Sequence, residues 1–287
     1  MQSFESPDSV TVTGLFSYPV KGLRPAAHSS ASVLTTGLTH DREWMVVDAR
    51  SSPAQFITQR QCPAMAIISV DTNPDDGLTL STVDGDVLRV ETPARNALIK
   101  ASVWNHETIA FDAGESAAKW LEIKLGLMHA VRLVRFNRQV RRDCNRLYVG
   151  DSGAHTFFAD AYPLLVANAA SLADLNVRIG AGTDSAIPMS RFRPNIVIDG
   201  LAAWDEDHVD TLTVGEVLLK LVKPCVRCEV TTTNQATGAR PSDEPLKTLA
   251  QFRNNPEFGG VTFGWNAIVV TPGNVSTGDP VSLEYRF

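Results

Sequence analysis

The stretch KPCVRCEVTTTNQATG, residues 223–238, sets Cys225 and Cys228 on either side of Val226 and Arg227. A structural zinc site needs about four ligands. This pair supplies two. Cys62 and Cys144 are isolated, and His28, His40, His106, His129, His155 and His208 show no spacing for a second half-site. A redox dithiol of the thioredoxin kind needs its first cysteine at a helix N-terminus, where the dipole lowers the thiol pKa; here Glu229-Val230-Thr231-Thr232-Thr233 is β-branched and predicts a strand. A plant-type iron–sulfur centre expects further cysteines, and none follows Cys228. Two readings survive: a pair of inert buried cysteines, or one working thiolate favoured by Arg227 and nearby Lys223. A thiolate is a soft donor for a transition metal, and a cofactor can bring the ligands the protein lacks.

A second concentration of chemistry is basic. Arg132, Arg135, Arg138, Arg141, Arg142 and Arg146 fall within fifteen residues, opposed locally by Asp143 alone. Such a run is either a docking site for an anionic partner or a loop neutralised by acids from elsewhere. The whole chain carries a formal charge of −6, which argues against a general nucleic-acid binder. No apolar run approaches a membrane span, and the N-terminal MQSFESPDSV has no signal-peptide pattern. Four cysteines are too few for a disulfide scaffold in 287 residues, so reduced thiols and a cytoplasmic setting are expected.

The elements that must position these groups are mostly strands. Short β-branched runs bounded by Gly, Pro, Asp and Asn fill the first third, and LTLSTVDGDVLRV predicts a hairpin turning at Asp84-Gly85. SAAKWLEIKL, residues 116–125, has helical spacing and stops before Gly126. A second helix is predicted over residues 171–179, capped by Ser171 with Asp174 completing the box. NIVIDG, LTVGEVLLKLV, CEVTTTN, NAIVVTP and VSLEYRF read as strands, with a short helical pattern over residues 245–253. With 44% hydrophobic and 20% charged residues the chain is globular and mainly β with several helices, an α+β organisation. Two joined β-rich domains are expected, meeting near residues 125–150.

Several stretches, in order, resemble the MOSC family, including the β-barrel domain that precedes the MOSC domain in the amidoxime-reducing proteins. They are YPVKG (18–22), GLTHDREWMVVD (37–48), ITQR (57–60), FADAYPLL (158–165), ASLADLN (170–176), FRPNIVIDG (192–200), PCVRCEVTTTNQATG (224–238) and GDPV (278–281). The resemblance implies an N-terminal β-barrel-like domain over residues 1–125 and a MOSC β-barrel domain over 126–287. It implies a molybdenum cofactor, molybdopterin with its metal, held between them by one cysteine, and the family pattern assigns that role to Cys228. Cys225 then packs beside it. Lys21, Arg42 and Arg193 match positions that contact the pterin and its phosphate, Asp160 a further cofactor-site position, and Arg60 and Asn195 lie in matching motifs. Where the family often has serine, Gly22 leaves only a backbone contact.

The function implied is reduction of hydroxylamines, amidoximes or N-hydroxylated nucleobases to the amine and water. Neither an N-terminal anchor nor a C-terminal ferredoxin domain is evident, so electrons are expected from a separate protein of the ferredoxin, flavodoxin or cytochrome b5 type. No nucleic acid or membrane partner is expected. The alternatives at this point are a cofactor carrier or sulfur-handling module, and a cofactor-free β-barrel binding module with two inert cysteines.

Overall fold

In the computed structural model of the chain, which describes residues 9–180, 182 and 185–286, the β-branched runs of the first third pair into closed layers. Residues 1–8, read above as lacking a signal peptide, and Phe287 lie outside the described residues. Trp44–Asp48, Ala54–Phe56, Leu98–Val103, His106–Asp112 and Val131–Phe136 form a barrel, closed because Val131–Phe136 pairs with both His106–Asp112 and Trp44–Asp48. Trp44–Asp48 and Val131–Phe136 are buried on both faces. Met45, Val47, Ala101, Val103, Val134 and Phe136 make one cluster. Trp44, Val46, Val131 and Leu133 pack on the opposite side with the helix Glu115–Leu125 and with the hairpin strands Leu78–Ser81 and Val87–Val90. The predicted turn is there, with Gly85 at φ +88°. Gly126 ends the helix in the left-handed conformation, its N–H returning to Glu122 and Ile123 carbonyls.

A nine-stranded sheet forms the second layer, built mainly from residues after 160. Its far edge comes from the start of the chain: Thr11–Ser17 pairs antiparallel with Ile196–Asp199 and with Ala26–His28. Two residues after leaving this sheet, Val20–Lys21 runs parallel to Trp44–Asp48 in the barrel. The YPVKG motif is therefore where the chain crosses from one layer to the other. In return, Phe158 from the later segment joins the barrel cluster and meets Phe136 edge-on, ring centroids 5.0 Å apart.

Three local expectations are corrected. Residues 229–233 are not a strand; Glu229–Thr232 is a 3-10 turn with Cys228 at its N-cap. Thr231 and Thr232 donate their hydroxyls to the Cys228 and Glu229 carbonyls at 2.9 and 2.8 Å, which offers the backbone a turn in place of a ladder. The second helix runs Ala169–Ile179 and is capped by Asn168, whose side chain accepts from the Ala170 N–H. Ser171 is instead buried, donating to the Glu206 carboxylate at 2.7 Å and accepting from the Trp204 N–H.

The basic run is neutralised from within. Arg135 and Arg138 converge on the buried Glu43, Arg132 on Glu115, Arg141 on Asp143 and Arg146 on Asp151. Arg142 is buried and donates to three carbonyls, those of Phe157, Ala159 and Asp160, at 2.8, 2.5 and 2.7 Å. It is a tether for the segment that carries Phe158 and Asp160. Arg142→Met is expected to cost about 2 kcal/mol or more, since charged hydrogen bonds contribute roughly 1.5–3 kcal/mol each and the carbonyls would be left without donors. A thermal melt unchanged by the substitution would remove the tether argument. Among the described residues no helix is long and apolar enough to cross a membrane.

Candidate functional site

Where the two layers meet, one cleft is lined by Lys21, Gly22, Arg42, Arg60, Asp160, Arg193, Asn195 and Cys228, together with Cys225 and Arg227. Every residue singled out from the sequence as a candidate site residue is in that set. They arrive from both halves of the chain. Lys21 and Gly22 sit at the layer crossing, Arg42 leads into the strand Trp44–Asp48, and Arg60 follows the strand Ala54–Phe56. Asp160 follows the Phe158 plug, Arg193 and Asn195 precede Ile196–Asp199, and the cysteines lie at the end of Val217–Val226 and just beyond it.

Lys21 is buried and donates to the Phe158 carbonyl at 2.8 Å and to Asp160 Oδ1 at 2.5 Å. Burial pushes its ammonium pKa down, with Asp160 opposing the shift. Enclosure by the cleft walls works to raise the Asp160 carboxyl, but Lys21 and then the Trp104 indole N–H hold it well below the usual carboxylate range. Arg42 meets Asp41 at 2.6 Å and donates to Asn195 Oδ1 at 3.1 Å. Burial disfavours its charge, yet Asp41 keeps its pKa raised. The pair is interior, not the surface ion-pair set that Asp41-Arg42-Glu43 resembles in sequence.

Arg193 has far less support. Its guanidinium donates to Gln235 Oε1 at 3.4 Å, and burial, with the like charge of Arg42 adding to it, lowers its pKa to about 10. Tyr18 stands between the two charges, its ring centroid 4.3 Å from the Arg42 guanidinium carbon and 4.2 Å from that of Arg193. Both arginines adopt positive φ, 49° for Arg42 and 55° for Arg193. Such strain costs on the order of 1–3 kcal/mol and collects at binding sites. Arg227 donates to Cys225 Sγ at 2.8 Å and to the Phe192 carbonyl at 2.6 Å, while its Nε is buried without a partner. Against Lys21, Arg42, Arg193 and Arg227 stand Asp41 and Asp160. The enclosure is built for an anion.

The four cysteines separate into two classes. Cys62 and Cys144 are buried, and burial raises their thiol pKa, that of Cys144 to about 11. Cys225 is half-buried under Arg227, and Cys228 is exposed to the cleft. Two inert buried cysteines are thus excluded for this pair. No cluster of three or more His, Cys, Asp or Glu suited to a metal occurs among the described residues, so any metal held by Cys228 would need its other ligands from a cofactor or solvent.

The family model for the MOSC N-terminal beta barrel domain matches residues 9–127, and that for the MOSC domain matches residues 153–282. The chain belongs to the MOSC family. Among curated relatives, mitochondrial amidoxime-reducing component 1 of Mus musculus is 34% identical over 287 residues, covering 95% of this chain and 82% of that protein. The Homo sapiens component 1 is 34% identical with the same coverage. Mitochondrial amidoxime reducing component 2 of Bos taurus is 32% identical over 94% of this chain and 82% of its own length.

Several cleft residues of this MOSC protein escaped sequence reasoning. Gln59 and Gln235, both buried, exchange amide hydrogen bonds at 3.1 and 2.9 Å between the ITQR and TTTNQATG loops, and Gln59 also donates to the Gly22 carbonyl at 2.7 Å. Gly22 has φ +87°, a backbone conformation that glycine adopts without strain, and a Cβ there would meet only the flexible end of Met65, at 2.7 Å. Asn195 spends both ends of its amide internally, on Arg42, the Leu165 N–H and the Phe16 carbonyl. Trp104 and Phe56 complete the wall. Trp104 closes the strand-like run LIKASVW, residues 98–104, and nothing else in the sequence marks it.

Proposed function

We propose that this MOSC protein is a molybdenum-cofactor-dependent reductase of N-hydroxylated compounds, supplied with electrons by a separate ferredoxin, flavodoxin or cytochrome b5 type protein. One observation carries the reading: an exposed Cys228 shares a cleft with the four cations Lys21, Arg42, Arg193 and Arg227, in a chain whose relatives are amidoxime-reducing components. The donor set fits a pterin that ends in a doubly charged phosphate, because Arg offers a planar fork and Lys a point charge to such oxygens. The depressed Arg193 pKa is what such a ligand would relieve.

In this reading Cys228 Sγ holds the metal, and Lys21, Arg42 and Arg193 grip the anionic part. Asp160, Arg60 and the Gly22 backbone border it, and Asn195 acts through Arg42. Residues 1–125 supply Lys21, Arg42 and Arg60; residues 126–287 supply Asp160, Arg193 and Cys228. When bound, the cofactor supplies the two-electron chemistry that cleaves the N–O bond. The chain orients the substrate and leaves the Asp160 side of the cleft open to water, from which the two protons of the reduction come.

The test is elemental analysis for molybdenum on protein made in a host that synthesises the cofactor, followed by reduction of benzamidoxime or 6-hydroxylaminopurine with a chemical electron donor. Molybdenum with turnover is expected. Molybdenum without turnover would point to a cofactor carrier, and no molybdenum to a cofactor-free binding module.

A further inference from the structure

Trp104 stands in the two-residue turn of the hairpin whose last pair is Val103 and His106. Its φ is +52°, at a position where such turns normally place glycine or asparagine. A bulky aromatic there is a genuine outlier, and the conformation is uphill by about 1–3 kcal/mol. The indole is nevertheless pinned from several sides. Its Nε1–H donates to Asp160 Oδ1 at 3.1 Å, its ring meets Phe56 edge-on with centroids 5.0 Å apart, and the Arg60 guanidinium carbon lies 5.0 Å from its centroid. It stays 44% exposed, and the exposed part lines the cleft. Trp104 itself is not a member of the buried barrel cluster, which takes the neighbouring Val103 and has Phe56 packed against it. A strained, fixed, half-exposed aromatic at the mouth of a ligand cleft has the properties of a binding wall.

We propose that Trp104 is a specificity-determining residue, its indole forming with the edge-on Phe56 ring and the Arg60 guanidinium an angled aromatic wall that selects substrates whose N-hydroxyl group is conjugated to a planar ring over substrates with an alkyl group. The wall is made of π surfaces and a guanidinium plane, all of which stack on flat, polarisable groups and gain little from a methyl. Asp160, oriented by the indole N–H, lies at its edge, in reach of the N–H donors that an amidoxime or an exocyclic amine carries.

This inference rests on the reductase reading, and two measurements keep them apart. The first is kcat/KM for benzamidoxime over that for acetamidoxime, in wild type, Trp104→Ala and Trp104→Phe, with molybdenum content determined for each. Stacking on one aromatic side chain corresponds to a factor of about 5 to 150. The ratio is expected to fall at least about tenfold in Trp104→Ala and to be largely restored in Trp104→Phe, with molybdenum retained in both. An unchanged ratio, or a loss of molybdenum that accounts for the loss of turnover, overturns the proposal. The second needs no turnover: equilibrium dialysis of the products benzamidine and acetamidine against the same proteins. Wild type should hold benzamidine more tightly and Trp104→Ala should lose the preference. Equal binding of both by wild type also overturns it. Should no N-hydroxylated compound be reduced by molybdenum-loaded wild type, the reductase reading fails, while the dialysis still decides the wall.

Discussion

Cys228→Ala is expected to reduce N-hydroxyl turnover to background and to lower the molybdenum content of the purified protein, while Cys225→Ala keeps the metal and most of the turnover. The two thiols are three positions apart and share a cleft, but their surroundings differ. Cys228 ends the strand-like approach, caps a 3-10 turn and is exposed to the cleft with no side-chain hydrogen bond of its own. Cys225 is half-buried and already accepts a hydrogen bond from Arg227. Losing that bond frees the Arg227 fork to shift, an effect of roughly 0.5–1.5 kcal/mol, or about tenfold in rate at most. Loss of the thiolate that is exposed to the cleft has no such compensation. Metal analysis and turnover of both variants decide the matter, and the reverse pattern would move the metal to Cys225.

A second large effect is expected at Arg193, and it has two opposite signs. In cofactor-free protein this guanidinium is buried next to Arg42 with little to offset it, and its pKa falls to about 10. The sign follows from linkage: a basic group whose folded pKa is depressed destabilises the fold at every pH below that value, and the penalty fades only as pH climbs toward the unfolded value. Across working pH the penalty is therefore constant, on the order of 3 kcal/mol before the lost contact with the Tyr18 ring is subtracted. Arg193→Met keeps the stem and removes the charge. Cofactor-free protein should melt several degrees higher, since about 2 kcal/mol corresponds to roughly 4–8 °C in a chain of this size class. The same variant should hold the cofactor about 10- to 150-fold less tightly, the range of a lost charged hydrogen bond. Thermal melts of cofactor-free protein and molybdenum content of loaded protein give the two readouts. A variant with normal molybdenum content would show that Arg193 does not grip the cofactor.

This opposition explains why the cleft looks poorly designed as an isolated structure. Positive φ at Arg42 and Arg193, an unpartnered Arg227 Nε and a lysine with a depressed pKa all cost stability in the free protein. An anion bound in the cleft would offset the charge repulsion among them, though not the backbone strain. Stability given up at a site and recovered on binding is the usual trade in proteins that pre-form a pocket.

Local patterns in the sequence determined much of this protein. The Asp84-Gly85 hairpin, the helix stopping at Gly126 and the strand-rich composition depend on neighbours a few residues apart, where backbone sterics and side-chain period act directly. Motif order was enough to nominate Lys21, Arg42, Asp160, Arg193 and Cys228, and the fold gathers them in one cleft. What the sequence could not express was which layer each strand joins. Thr11–Ser17 crosses to the sheet of the later half and Val131–Phe136 returns to the barrel, because strand partners are chosen by burial between residues far apart in the chain. Sequence separation likewise hid the neutralising of Arg135 and Arg138 by Glu43, the Gln59–Gln235 exchange and the Asp160 anchor of Trp104. Charge and aromatic character are visible in a chain; whether a charge is paired, and what an aromatic faces, is decided only when distant segments compete for the same buried space.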